Sequence, residues 1–123
     1  MLDHVTIGVS DFARSAAFYD AALAPLGIGR LWGDGATFAG YGEAGVRPYF
    51  WIGAKPAVTT GSHVAFVASE RAVVDAFHRV ALTAGGTDNG APGLRPHYAP
   101  DYYGAFVLDP DGHNIEAVCR SAP

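Results

Sequence analysis

Apolar and polar residues alternate at two places in the chain, and each place opens the same succession of elements. In the first, three aliphatic residues between Val5 and Val9 alternate with small or polar ones, as in a strand with one buried face. Residues 63–68 repeat this form in the second half. A histidine opens the pattern each time, His4 in one copy and His63 in the other. The pattern predicts two related halves.

A helix is predicted after each of these strands. In the first half Ser10 or Asp11 is a suitable N-cap, apolar residues then recur at helical spacing, and Pro25 ends the run. In the second half Ser69 is the predicted cap, and the glycine pair that starts at Gly85 ends the helix. Each helix is expected to cover the aliphatic face of its strand.

Shorter strands are predicted to complete each half. They are expected near residues 28–32, 35–41 and 46–52 of the first half, and at 102–108 and 113–119 of the second. The second half has only a weak candidate for its second strand, and residues 90–100 are predicted to form a Pro/Gly-rich loop. The fold class is therefore α+β with two βαβββ modules, at approximately 1–54 and 61–119, in one domain over residues 1–123.

Composition excludes several classes of partner. The net charge is −4, Lys55 is the only lysine, and the arginines are scattered, so no basic stripe suits nucleic acid. No window has the roughly 18 apolar residues that would span a bilayer, and no signal peptide is recognisable. Cys119 is the only cysteine, which excludes an internal disulfide. A cytoplasmic protein that binds a small molecule is expected, without nucleic acid or membrane.

Alternation along the last strand brings a carboxylate to the histidines. Glu116 shares a face with Asn114, whereas Ile115 and its apolar neighbours share the other face, which suits packing under a helix. Glu116 is thus predicted to face the same side as His4 and His63. Two imidazoles and one carboxylate suit a divalent metal ion such as Fe(II), Zn(II), Ni(II), Mn(II) or Co(II), and the set alone does not choose among them.

Other side chains are candidates to line the site. By the same alternation, or by their place in the loop, the candidate substrate-binding residues are Thr6, Tyr49, Trp51, Arg95 and Phe106. His97 and Tyr102 are the acid/base candidates. Ordinary core packing remains the alternative for the aromatic residues. Two further histidines are not counted as ligands: His78 is expected to face solvent, and His113 lies on the face opposite Glu116.

Three segments make the chain resemble a known superfamily. They are Leu2-Asp3-His4-Val5-Thr6-Ile7-Gly8-Val9-Ser10-Asp11 with Arg14-Ser15-Ala16-Ala17-Phe18-Tyr19, Ser62-His63-Val64-Ala65-Phe66, and Phe106-Val107-Leu108-Asp109-Pro110-Asp111-Gly112-His113-Asn114-Ile115-Glu116. With these segments the chain resembles, over essentially its full length, the vicinal oxygen chelate superfamily, which includes glyoxalase I, extradiol dioxygenases, and bleomycin and fosfomycin resistance proteins. The resemblance implies curved mixed sheets that form a metal-binding cup. It also implies a homodimer, in which modules of two chains can jointly build the site.

The resemblance implies roles for three residues and a departure at a fourth. His4, His63 and Glu116 match the superfamily's metal-ligand positions. Aligning the two halves through Phe38 and Phe106, with one extra residue in the first turn, places Tyr49 opposite Glu116, where glyoxalase I-like enzymes carry a glutamate. A phenol with a pKa of about 10 is a poor metal ligand while protonated. A three-ligand site is therefore expected.

The function implied is a metal-dependent lyase, isomerase or dioxygenase acting on a small molecule with vicinal oxygens. One alternative is a metal-free drug- or metabolite-binding protein of the bleomycin-resistance type. Another is a thiol transferase of the fosfomycin type. Thr6 follows His4 on the same face as in that group, but the loop lacks the lysine and serines expected for phosphonate binding.

Overall fold

The computed structural model describes all of residues 1–123 and contains two mixed four-stranded sheets, each covered by one helix. The first module contains β1 (Val5–Gly8), α1 (Phe12–Ala22), a 3-10 turn (Ala24–Leu26), β2 (Ile28–Gly33), β3 (Phe38–Glu43) and β4 (Phe50–Gly53). The second contains β5 (His63–Val67), α2 (Arg71–Thr83), β6 (Thr87–Leu94), β7 (Tyr103–Leu108) and β8 (Asn114–Cys119). The α+β class and the two βαβββ modules are confirmed.

The two sheets have the same strand order. They run β1-β4-β3-β2 and β5-β8-β7-β6, with the first strand of each module parallel to its fourth and the other neighbours antiparallel. The helices cover one face of each sheet, and their contacts form a continuous core of 23 buried residues. Phe50 of β4 meets Phe66 of β5 edge to face, with ring centroids 5.3 Å apart, so this core joins the modules. We call the uncovered side of each sheet its open face.

Several of the predicted boundaries are wrong. The third and fourth strands begin at Phe38 and Phe50, rather than near residues 35 and 46. Asp11 caps α1 through its carboxylate, as expected, but α2 begins after Glu70 rather than Ser69, with no side-chain cap. The predicted 90–100 loop overlaps β6, which pairs with β7 as far as Leu94. Its register shifts at Gly90 and Gly93, and Gly90 has a φ of 153°. An edge strand tolerates such bulges, which is why a glycine- and proline-rich segment still pairs.

Buried polar contacts fix how the modules sit together. The His113 ring is fully buried, and its Nδ1 accepts the Ser62 N–H at 3.2 Å. Nε2 must therefore carry the proton, and it donates to the Thr59 hydroxyl at 3.1 Å. That oxygen in turn accepts the N–H of Gly8 in β1 at 3.0 Å. His113 thus connects the second module, through the inter-module segment, to the first strand of the chain.

A second buried contact joins α1 to the turn between β7 and β8. The Tyr19 hydroxyl donates to Asp109, whose other oxygen accepts the backbone N–H groups of Asp111 and His113. Burial, and then the charge and hydrogen bond of Asp109, raise the pKa of Tyr19 well above its usual value.

The two α-helices, of 11 and 13 residues, lack the length and hydropathy that a membrane-spanning helix requires.

Candidate functional site

His63 and Glu116 meet on the open face of the second sheet. They lie on the neighbouring parallel strands β5 and β8, where Glu116 is opposite Ala65 in register. The His63 Nδ1 is 2.9 Å from the Asn114 carbonyl oxygen, and its Nε2 is 3.1 Å from Glu116 Oε2. A carbonyl only accepts, so Nδ1 carries the hydrogen of a neutral ring. The Nε2 lone pair then points at a carboxylate oxygen, an arrangement that a proton or a metal ion between the two atoms would stabilise.

Glu116 is only 2% exposed, and its second oxygen accepts a hydrogen bond from the Tyr102 hydroxyl. Gly104 leaves the space for this pair. A Cβ there would lie 3.1 Å from Glu116 Oε1 and 3.2 Å from the Tyr102 ring. Burial, and then the hydrogen bond and charge of Glu116, raise the pKa of Tyr102 to about 12. Tyr102 therefore keeps its proton at neutral pH and acts as a donor.

These residues line a cleft of about 420 Å³. Its lining consists of His63, His97, Tyr98, Tyr102, Phe106, Glu116 and Arg120. Aromatic rings form most of the wall, since Tyr98 packs on Tyr102 at 5.1 Å and on His97 at 4.2 Å between centroids. Tyr98 remains 59% exposed, so much of its ring is available to a ligand. The cleft thus combines a polar floor with an aromatic wall.

The arginine in the cleft is not the one expected from sequence. Arg120 lines the cleft, with its guanidinium carbon 4.8 Å from the Tyr102 ring centroid. Arg95 instead lies over Phe106 at 5.5 Å and donates to the Ala91 carbonyl oxygen at 2.8 Å. Alternation along β8 would have identified Arg120, because it lies four residues after Glu116 and shares its face.

His4 lies in the first module, apart from this cleft. Its side chain is 56% exposed, and its Nδ1 is 2.7 Å from Asp3 Oδ1. The other Asp3 oxygen pairs with Arg47 at 2.8 Å. The hydrogen bond from His4, followed by the positive charge of Arg47, lowers the pKa of Asp3. Because the carboxylate holds the hydrogen on Nδ1, the Nε2 lone pair of His4 faces outward.

The three predicted ligands do not meet within one chain. His63 and Glu116 are in contact, whereas His4 lines a groove of the first module with Asp3, Thr6, Arg47, Pro48 and Trp51. No group of three or more His, Cys, Asp or Glu side chains in the chain is placed to hold a metal ion. Any site using all three predicted ligands therefore requires His4 from a second copy.

Strand register corrects the predicted equivalence of Tyr49 and Glu116. The Val9 N–H donates to the Gly53 carbonyl oxygen as the Ala68 N–H donates to that of Val118, at 2.8 Å in both modules. Val9 and Ala68 are thus equivalent, and so are His4 and His63, which lie five residues before them. Gly53 and Val118 are also equivalent. Trp51 and Glu116 lie two residues before this second pair and are therefore equivalent, as are Tyr49 and Asn114, which lie four residues before it. The sequence alignment through Phe38 is therefore two residues out of register.

The Trp51 side chain occupies the space beside Gly40 in the first module, as Glu116 and Tyr102 occupy the space beside Gly104 in the second. A Cβ on Gly40, its partner across the ladder, would be 2.8 Å from the indole, and Phe38 packs on the indole at 6.3 Å. An indole is no metal ligand, so the first module contributes one histidine and an aromatic surface. Tyr49 lines a different pocket, a mostly apolar one of about 240 Å³ at the seam of the modules, which His4 and Ala65 also line. Burial and the nearby Glu43 raise the pKa of Tyr49 to about 12.

The remaining histidines have structural contacts. His113 faces away from Glu116 and is buried, as described above. The prediction that His78 faces solvent is wrong, because its side chain is only 12% exposed and pairs with Asp88 at 2.9 Å. This pair links α2 to β6.

Comparisons with known proteins agree on one family. The model of the glyoxalase/bleomycin resistance protein/dioxygenase superfamily matches residues 1–117. A glyoxalase/bleomycin resistance protein from Albidiferax ferrireducens T118 is 35% identical, with a TM-score of 0.82 over 98% of this chain and 99% of that one. No protein with a curated function matches the chain.

More distant structures share the fold. A glyoxalase-related enzyme from Fulvimarina pelagi is 20% identical, with a TM-score of 0.73 over 97% of this chain and 87% of that one. A superfamily enzyme from Burkholderia phytofirmans PsJN is 17% identical, with a TM-score of 0.72 over 97% and 98%. By its family match and its 35% identical relative, the chain belongs to the glyoxalase/bleomycin resistance protein/dioxygenase superfamily.

Proposed function

We propose that this protein is a metal-dependent enzyme acting on a small molecule with two adjacent oxygens. The supporting observation is the 3.1 Å approach of His63 Nε2 to Glu116 Oε2 while His63 Nδ1 is held by a backbone carbonyl. Histidines that bind metals usually have this second hydrogen bond, which fixes the tautomer and aims the lone pair. The donor set fits a divalent ion of the Fe, Zn, Ni, Mn or Co type.

His4 of a second copy is proposed as the third ligand. Its Nε2 faces outward, with Asp3 on Nδ1 in the second-sphere position that the Asn114 carbonyl occupies for His63. The open faces also carry exposed apolar side chains, including Val67 at 82%, which favours their burial against another chain. A symmetric homodimer with the first module of one chain against the second module of the other would form two such sites.

A bound metal ion would act as a Lewis acid on the substrate oxygens. The protein's own residues have complementary roles. Tyr102 donates to Glu116 and fixes the orientation of its carboxylate. His97 lies exposed at the cleft, where its imidazole can donate or accept a proton. The aromatic rings exclude water from one side of the substrate.

Metal titration of the purified chain tests this proposal. Zn(II), Ni(II), Co(II), Mn(II) and Fe(II) are added to metal-free protein, and affinity is measured by calorimetry. Glu116→Gln should weaken binding at least tenfold, because it removes the anionic donor. Glu70→Gln removes the same charge at an exposed position and should have no effect. Equal affinities for the two variants would refute the assignment of Glu116.

Mixing two defective variants tests whether the site is shared. His4→Ala and Glu116→Gln each damage both sites of their homodimers. A heterodimer has one site with both defects and one with neither, so about a quarter of all sites should recover in an equal mixture. Recovery is measured as high-affinity metal binding after the subunits are exchanged. No recovery, with heterodimers shown to form, would refute a shared site.

A metal-free binding protein is the second candidate, and the first module favours it. Trp51 occupies the position where a fourth ligand would lie, and it packs on Phe38. This surface suits an apolar or aromatic ligand more than a metal ion. The metal titration separates the two candidates.

A further inference from the structure

Arg120 is a charged residue in the cleft that neither the predicted ligand set nor the proposed function uses. It directly follows β8, and its guanidinium lies over the Tyr102 ring. Most of the chain's other arginines pair with carboxylates, as Arg30 does with Asp20 and Arg47 with Asp3. No ion pair or hydrogen bond within the chain engages the Arg120 guanidinium. Its donors therefore face solvent beside the cleft.

The charge of the cleft leaves Arg120 without a compensating anion. Glu116 is the only carboxylate in the lining, and its two oxygens already face Tyr102 and His63. A guanidinium presents paired N–H donors that match the two oxygens of a carboxylate. The missing anion is therefore expected to arrive with the ligand.

The spacing of the groups limits the shape of that ligand. Tyr102 contacts Glu116 through its hydroxyl and Arg120 through its ring face, so about one aromatic ring separates the chelating end of the cleft from the cationic end. The exposed ring of Tyr98 stands edge-on to Tyr102, at 67° between their planes, and provides a surface for a flat molecule. Both contacts favour a planar body that carries the charge.

We infer that Arg120 determines specificity by binding the carboxylate of an aromatic carboxylic acid in this cleft. The inference rests on the proposed function in so far as the cleft is the substrate site. Arg120 forms no part of the proposed metal set, so its contribution is measurable without metal. Arg79 provides a matched control, because it is an exposed arginine on α2 with no ion pair.

Benzoate and its uncharged analogue benzamide are the probes. Each is titrated into metal-free, isotope-labelled protein, and binding is followed by two-dimensional NMR of the backbone amides. Benzoate should shift amides of residues 97–106 and 116–120 and bind about tenfold more tightly than benzamide. Arg120→Gln should abolish this tenfold preference, which equals about 1.4 kcal/mol, and Arg79→Gln should preserve it.

Equal affinity for the two probes, or an unchanged preference in Arg120→Gln, would overturn the inference. The spectrum of Arg120→Gln also reports whether the variant is folded. If benzoate binding depends on Arg120 but Glu116 binds no metal, the inference stands and the proposed metal function fails. If Glu116 binds metal and Arg120→Gln keeps the preference for benzoate over benzamide, the proposed function stands and the inference fails.

Discussion

Replacing Tyr102 by phenylalanine removes one hydroxyl from the cleft and leaves the ring in place. The ring keeps its packing on Tyr98 and its contact with Arg120. The loss is the hydrogen bond to Glu116, a carboxylate that is almost fully buried. The stability of Tyr102→Phe therefore measures what that single donor contributes.

The expected loss follows from the partner's charge and burial. A hydrogen bond to a charged group contributes about 1.5–3 kcal/mol. Water entering through the open cleft can replace part of it, so we expect a loss near the lower end, about 2 kcal/mol. For a domain of this size that corresponds to a fall in Tm of about 6–10 °C.

Urea denaturation at neutral pH, followed by circular dichroism, measures the free energy of unfolding. Tyr98→Phe is the matched control, since its ring lines the same cleft and its hydroxyl has no hydrogen-bond partner in the chain. It should change stability by less than about 0.5 kcal/mol. If Tyr102→Phe is as stable as Tyr98→Phe, the Tyr102 hydroxyl does not stabilise Glu116.

Three further outcomes are expected. Gly8→Ala should disrupt the packing of β1 against the inter-module segment and lower the Tm, because its Cβ would lie 1.9 Å from the Ala57 carbonyl oxygen. A melting curve identical to that of the wild type would contradict this. His113→Ala removes the two hydrogen bonds of a buried ring and should cost about 3 kcal/mol in chemical denaturation. Stability should fall as pH rises from 10 to 12, because unfolded tyrosines ionise near 10 while Tyr49 and Tyr102 keep their protons until about 12. Denaturation midpoints across that range check it, and a flat profile would refute it.

Alternation and internal repetition predicted much of the second module's site. They brought His63, Tyr102, Phe106 and Glu116 to one face, because residue orientation along a strand has a fixed period of two. Arg120 follows from the same rule but lies just past the end of the strand. Whether His4 lies near the others depends on how modules are arranged in space, which strand periodicity does not encode.

Register and edge pairing were harder to predict. The equivalence of Trp51 and Glu116 depends on where each hairpin turns, and a two-residue shift of the alignment preserves the face of every side chain. Alternation alone therefore cannot distinguish Trp51 from Tyr49. Likewise the composition of β6 is that of a loop, and its pairing with β7 arises from tertiary contact rather than from local propensity.

Glycine and bulky side chains exchange places between the two sheets. By the register above, Gly104 is equivalent to Phe38, and Phe106 is equivalent to Gly40. Each module thus has a glycine where the other has an aromatic ring. Gly104 leaves space beside Glu116 in the second module, and Gly40 leaves space beside Trp51 in the first. After duplication, the two copies have diverged into surfaces that cannot substitute for one another. A cavity enclosed by one surface of each kind would have a polar wall opposite an apolar wall, and a bound molecule would have a single orientation in it.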